Sequence, residues 1–163
     1  MSRILVIESS ARQQGSVSRE LTQQFIANWQ AAHPADQIQV RDLAVDPVPH
    51  LDATLLGGWM TPSEQQSEAE KAALARSNLL TDEVLAADVL VLAAPMYNFA
   101  IPSTLKAWLD HVLRAGVTFK YTETGPQGVH AVGRVQRATQ AGHERPGRLA
   151  RCAQLGGQAG APA

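Results

Sequence analysis

Two short stretches of the 163-residue chain concentrate the groups that can do chemistry. The first is Ser9-Ser10-Ala11-Arg12-Gln13-Gln14-Gly15-Ser16-Val17-Ser18, rich in hydroxyls and free of large apolar groups up to Val17. Ser10, Ser16 and Ser18 supply hydroxyl donors, and Gly15 allows close approach of the backbone. If a helix starts where Ser16, Val17 and Ser18 stand, its free N–H groups and dipole favour an anion, which suits a terminal phosphate held without metal or lysine. The pattern GxxxxGK[ST] is absent, and so is GxGxxG. The second stretch is Met96-Tyr97-Asn98-Phe99. Tyr97 and Phe99 offer aromatic faces, and Asn98 is both donor and acceptor, a set that suits a planar polar ring. Phosphate at one stretch and ring at the other describe a mononucleotide, most simply a flavin. Each stretch also has a plainer use. The serines can serve only to cap a helix, and residues 95–99 can be an ordinary loop with its aromatics in the core.

The elements that must position these stretches are legible around them. Residues 4–7 (ILVI) form a β-branched run read as a buried strand. Leu21, Phe25, Ile26 and Trp29 then share one face of a helix, closed by His33-Pro34. Ile38 and Val40 alternate with polar residues as a more exposed second strand. Residues 52–63 are interrupted by Gly57-Gly58 and Thr61-Pro62, and are read as a mobile or covering segment. Residues 63–86 are helical, with Leu74, Leu79, Leu80, Val84 and Leu85 as the packed face. The run at 89–94 is too short for a helix and too continuously apolar for a half-exposed strand, so it is buried on both faces, as in a parallel sheet. Pro95 ends it, and Pro102 opens a further amphipathic helix reaching Ala115. Residues 117–122 alternate like a strand, and 123–128 read as a turn. The order β-α-β-α-β-α-β predicts an α/β fold with an open parallel sheet flanked by helices. In a flavodoxin-like strand order, 2-1-3-4-5, the loops after strands 1 and 3 face each other at the switch point where ligands bind.

Composition narrows the class. One domain is expected at this length. A net charge of −1 gives the whole chain no field for nucleic acid or membrane. Cys152 is the one cysteine, which excludes an internal disulfide and suits a reducing compartment. No apolar stretch approaches membrane-spanning length, and the N-terminal apolar run is too short for a signal peptide. The expectation is a cytoplasmic protein with no nucleic-acid or membrane partner. The charge is unevenly spread: residues 1–128 carry 9 Lys/Arg and 14 Asp/Glu, whereas 129–163 carry five arginines against Glu144.

The serine pattern after the first strand, PMYNF after the third, and RAGVTFKYTETGPQG beyond the last helix together resemble the FMN-dependent NADH-azoreductases, flavodoxin-like NAD(P)H:quinone oxidoreductases. RDLA at 41–44 falls in register, and the likeness runs from residue 1 to about 128. The resemblance implies a homodimer that binds FMN near the subunit interface and passes electrons from NADH to quinones or azo compounds in a ping-pong cycle. It assigns Ser10, Ser16, Val17 and Ser18 to the phosphate, and Met96, Tyr97, Asn98 and Phe99 to the isoalloxazine ring. The hydride chemistry would belong to the flavin, so no catalytic acid or base is named. Two other readings remain beside it: a flavin-binding electron carrier that NADH does not reduce, and a non-functional truncated product.

The family pattern continues with another apolar strand and a Ser-Arg-Gly-Gly-like loop, which residues 129–163 do not match. Their Arg, Gly, Ala and Gln bias and lost periodicity resemble a GC-rich gene read out of frame. The expectation is a flavodoxin-like domain over 1–128, truncated after the third βα unit, with an irregular basic tail over 129–163. The strand at 89–94 would then lack its outer neighbour, and flavin retention would be weak. The five histidines share no metal-ligand spacing, and no metal site is expected. Asp110 and His111 are assigned to a solvated or dimer face, Trp29 and Trp108 to the core, and Trp59 and Met60 to a loop that either packs or covers a ring.

Overall fold

The computed structural model describes residues 1–128 and the backbone of strand 134–139. What the sequence leads one to expect of the rest of 129–163, Cys152 included, lies outside the described residues. In chain order the elements are β1 (Arg3–Glu8), α1 (Val17–Ala32), β2 (Gln37–Asp42), α2 (Ala53–Met60), a single 3-10 turn (Ser63–Gln65), α3 (Glu68–Ala86), β3 (Val89–Ala94), α4 (Ser103–Val112), β4 (Phe119–Thr122), β5 (Gly125–Gly128) and β6 (Arg134–Thr139).

A parallel sheet in the order β2-β1-β3-β6 organises them. β1 lies centrally, and its side chains alternate between two cores, as the pleat requires. Leu5 and Ile7 pack with Leu43, Val48, Leu80, Leu90, Leu105, Trp108 and Val112 on one side. Ile4 and Val6 pack with Val91 on the other, against Phe25, Ile26 and Trp29 of α1. Residues 4–7 are at most 2% exposed, and each such aliphatic side chain contributes about 1.5–3 kcal/mol on burial. A strand apolar on both faces can be stable only between two helical layers, so the continuous runs at β1 and β3 dictate the three-layer arrangement.

Five expectations are corrected. Residues 53–60 are a helix. Asp52 caps it, its Oδ1 accepting from the Leu55 N–H at 2.8 Å. Gly58 is there for contact, since a Cβ on it would meet Leu74 Cδ1 and Cγ of α3 at 3.0 Å. The long helix starts later than residue 63, at a capping box in which Ser67 and Glu70 satisfy each other's backbone N–H groups. Leu79 on that helix is 47% exposed and does not pack, while Leu74 and Leu80 do. Residues 119–122 do not extend the parallel sheet; they pair antiparallel with Gly125–Gly128 as a separate hairpin, so within 123–128 only residues 123 and 124 are turn and the other four are strand.

The fifth correction concerns the edge of β3. Residues 134–139 run parallel beside it, from Val89 opposite Arg134 to Ala94 opposite Thr139. Strand pairing is made by backbone N–H and C=O groups, and an open edge offers both whatever side chains the partner carries. That is why a segment without alternation is recruited where side-chain pattern predicted no neighbour.

Candidate functional site

The register brings three strand ends into one row, Glu8 of β1 between Asp42 of β2 and Ala93 of β3. The loops that leave β1 and β3 at this carboxyl edge meet, as the strand order 2-1-3 demands. Ser9 Oγ donates to the Ala93 carbonyl at 2.6 Å. The Tyr97 hydroxyl lies 3.2 Å from Ser10 Oγ and accepts from the Ala11 N–H at 3.2 Å. Tyr97 therefore stitches the two loops together by its polar end.

The serines form a hydrogen-bonded chain. Ser16 donates to Ser10 Oγ at 2.9 Å and sits 3.1 Å from Ser18 Oγ, while the Arg12 N–H donates to Ser10 Oγ at 3.2 Å. Ser16 is the N-cap residue of α1, yet its side chain makes no capping hydrogen bond. Capping alone thus does not account for the serine loop. The hydroxyl is used sideways, and the first turn of a 16-residue helix presents its N–H groups without a side-chain acceptor. Gly15 has φ +62 and free space where a Cβ would stand, so backbone conformation, not crowding, calls for glycine there.

Residues 97–100 close as a two-residue hairpin turn. Tyr97 N–H donates to the Ala100 carbonyl and Ala100 N–H to the Tyr97 carbonyl, both at 3.0 Å. The two central residues, Asn98 (φ 49) and Phe99 (φ 64), are left-handed, as a type I′ turn requires. Asn tolerates this; phenylalanine does so at a cost of about 1–2 kcal/mol. The turn projects Phe99 into solvent at 95% exposure, with Met96 at 52%.

A crevice of about 300 Å³ opens between the loops, lined by Ser10, Arg12, Gly15, Ser16, Val17, Pro95, Met96 and Tyr97. Five of the eight residues singled out in the sequence line it. Ser18, Asn98 and Phe99 do not. Ser18 is fully buried because it faces inward one turn before Thr22, whose hydroxyl donates to the Ser18 carbonyl at 2.8 Å. Its hydroxyl supports Ser16 instead of facing the crevice. Asn98 and Phe99 stand at the exposed rim of the turn.

Three residues at the site were not singled out in the sequence. Arg12 lines the crevice and brings a cation to a loop that otherwise offers only neutral donors. Its place between the serines was a readable signal. Arg19, in the first turns of α1, reaches back under the loop and pairs with Asp42 at 2.6 Å. The hydrogen bonds from Arg19 hold the Asp42 carboxyl below its ordinary range. Glu8 is 5% exposed, and its Oε2 has no hydrogen-bond partner. Burial pushes its carboxyl up, with the Thr22 hydroxyl and the Arg19 charge pulling the other way. A carboxylate closing a β-branched run was the signal for Glu8; nothing local marked Arg19.

Away from the crevice, His111 is 1% exposed, which corrects its assignment to a solvated or dimer face. Nε2 lies 2.9 Å from the Pro49 carbonyl, so that nitrogen carries the proton, and Nδ1 is buried without a partner. Trp108 is core as expected. Trp59 packs beneath the Arg114 guanidinium, 5.6 Å from its ring centre, while Met60 is 84% exposed. Among the described residues no group of His, Cys, Asp or Glu is arranged to hold a metal ion, and no helix is long and apolar enough to cross a membrane.

Comparison with known proteins adds to this geometry. The family profile described as flavodoxin-like fold matches residues 2–144. The chain is 81% identical over 129 residues to FMN-dependent NADH:quinone oxidoreductase 2 of Pseudomonas putida, covering 79% of this chain and 65% of that protein. It is equally similar, 81% over 129 residues with the same coverage, to the FMN-dependent NADH:quinone oxidoreductase of Azotobacter vinelandii. The chain thus spans about 65% of the length of these curated relatives. Among solved structures, it resembles an azoreductase from Bacillus anthracis strain Sterne (TM-score 0.78, 29% identity, 85% of this chain and 68% of that one). It also resembles an FMN-dependent NADH-azoreductase from Bacillus anthracis strain Ames Ancestor, solved in complex with FMN (TM-score 0.75, 30% identity, 85% and 69%).

Proposed function

Because this chain belongs to the flavodoxin-like fold family, with its crevice at the switch point of the sheet, we propose that it binds FMN and serves the transfer of electrons from NADH to quinones and azo compounds. The observation that carries the reading is the meeting of the serine loop, the uncapped start of α1 and the loop after β3 around one crevice. The donor chemistry fits the group. Ser10 and Ser16 hydroxyls, the α1 N–H groups and Arg12 suit a phosphate dianion. Backbone at Pro95, Met96 and Tyr97, with Phe99 and Asn98 at the rim, suits a flat ring carrying both donors and acceptors.

FMN, when bound, would supply the two-electron chemistry that links NADH to the acceptor in a ping-pong cycle. The protein's part is to bind, orient and shield, and no side chain at the crevice is assigned as acid or base. The names of the 81%-identical relatives favour this enzyme over a flavin carrier that NADH does not reduce and over a non-functional truncated product. A cytoplasmic homodimer completes the proposal. Exposed Met96, Phe99 and Ile101 beside the crevice support a partner surface, and the single cysteine suits a reducing compartment.

The test is a spectrum followed by a stopped-flow trace of the purified chain. Bound FMN at one per subunit, bleached by NADH and reoxidised by a quinone, is the expected result. A colourless protein that fails to take up added FMN overturns the binding site. Bound flavin that NADH does not bleach leaves the carrier in its place.

A further inference from the structure

Arg19 makes four hydrogen bonds, two to carbonyls of the serine loop and two to Asp42 at the end of β2. Nε donates to the Arg12 carbonyl at 2.8 Å and Nη2 to the Ser10 carbonyl at 2.9 Å. Nη1 and Nη2 grip the two Asp42 oxygens at 2.6 and 2.9 Å. The Arg19 side chain is 13% exposed and that of Asp42 is 21%, so this is no solvated surface pair. Asp42 is itself fixed, since its Oδ1 also accepts the Ala44 N–H at 3.0 Å.

A peptide unit is planar and trans, so its C=O and N–H point to opposite sides. A guanidinium that draws the Ser10 and Arg12 carbonyls down towards β2 therefore turns the N–H groups of Ala11 and Gln13 the other way, that of Ala11 onto the Tyr97 hydroxyl, and keeps carbonyl oxygens from facing an incoming anion. We propose that Arg19, locked by Asp42, is a positioning residue that sets affinity for the phosphate end of the ligand by holding these two carbonyls inward. This rests on the reading of the crevice as a phosphate site. Lysine cannot replace arginine here, because one ammonium cannot span two carbonyls and both carboxylate oxygens, whereas the planar fork does so in one rotamer.

FMN and riboflavin share ring and ribityl chain and differ in the phosphate, so the ratio of their dissociation constants isolates the phosphate contribution. The full chain, Arg19→Gln, Arg19→Lys and Asp42→Asn are titrated with each flavin by fluorescence quenching. In both Arg19 variants FMN affinity falls on the order of 10- to 100-fold, by analogy with the loss on removing a residue that orients metal ligands, while riboflavin affinity stays as in the parent. Asp42→Asn moves the ratio the same way by less. It also stands as the folded alternative should an Arg19 variant fail to fold. Combining Arg19→Gln with Asp42→Asn adds nothing beyond Arg19→Gln alone, since both act through one contact. A parent chain with no preference for FMN over riboflavin overturns the phosphate site, and the inference with it. A parent that prefers FMN, with variants that keep the same ratio or lose both flavins equally, overturns the inference alone.

Discussion

Phe99 is held at φ 64 with its ring 95% exposed, so a Phe99→Gly substitution separates stability from ligand binding at one position. The left-handed conformation costs phenylalanine about 1–2 kcal/mol, and glycine removes that cost. Glycine also loosens the unfolded chain, which takes back about 0.4–1 kcal/mol. With no ring burial to lose, the ligand-free variant should be as stable as the parent or more stable, by up to ~1.5 kcal/mol. Urea unfolding of the two flavin-free proteins measures this directly, because the slope of the transition should not change. If the ring contacts the isoalloxazine, FMN binding weakens at the same time. A lost aromatic stacking face is worth ~1–3 kcal/mol, at least a several-fold change in a fluorescence titration. Destabilisation of the flavin-free variant by more than ~1 kcal/mol would refute the strain argument. Unchanged FMN affinity would remove Phe99 from the ring site.

Two further predictions concern buried titratable groups. Glu8 has its pKa raised above the usual 4.5 by burial. As pH rises past that value the unfolded chain releases its proton while the folded chain retains it, and stability falls until the folded pKa is passed. Glu8→Gln should therefore raise the thermal midpoint at neutral pH, with the advantage vanishing below about pH 4.5; a gain of equal size at all pH values would sink the assignment. His111 is shifted the other way, below 6.5, chiefly by burial and despite its bond to the Pro49 carbonyl. Its contribution is whole above that pH and is lost as the unfolded chain takes up a proton the folded site rejects, with a slope approaching about 1.4 kcal/mol per pH unit. His111→Gln, which can still donate to Pro49, should flatten the acid limb of the stability curve between pH 6.5 and the folded pKa, and an unaltered limb in urea melts would exclude His111 as its source.

What could be read without coordinates was whatever is carried by neighbours along the chain. The apolar run at 89–94 is six residues long with no polar break, so it named a doubly buried strand whose bounds the structure reproduces as Val89–Ala94. The serines and Gly15 lie within ten residues of one another, and PMYNF is continuous, so both loops were visible as chemistry before their meeting was known. Strand order then sufficed to bring them together, and the bond between Ser10 and Tyr97 across 87 positions is its consequence. Tertiary structure alone decided the rest. Arg19 reaches Asp42 over 23 positions, and no local pattern records which carbonyls a guanidinium will find. Burial of His111 depends on the segment around Pro49 lying against α4. The seat of 134–139 beside β3 is set by an open row of backbone groups, which are the same in every residue but proline and so leave no mark in side-chain periodicity. Periodicity in the chain specifies which faces must be covered; hydrogen bonds between distant segments specify what each loop of the crevice is held to do.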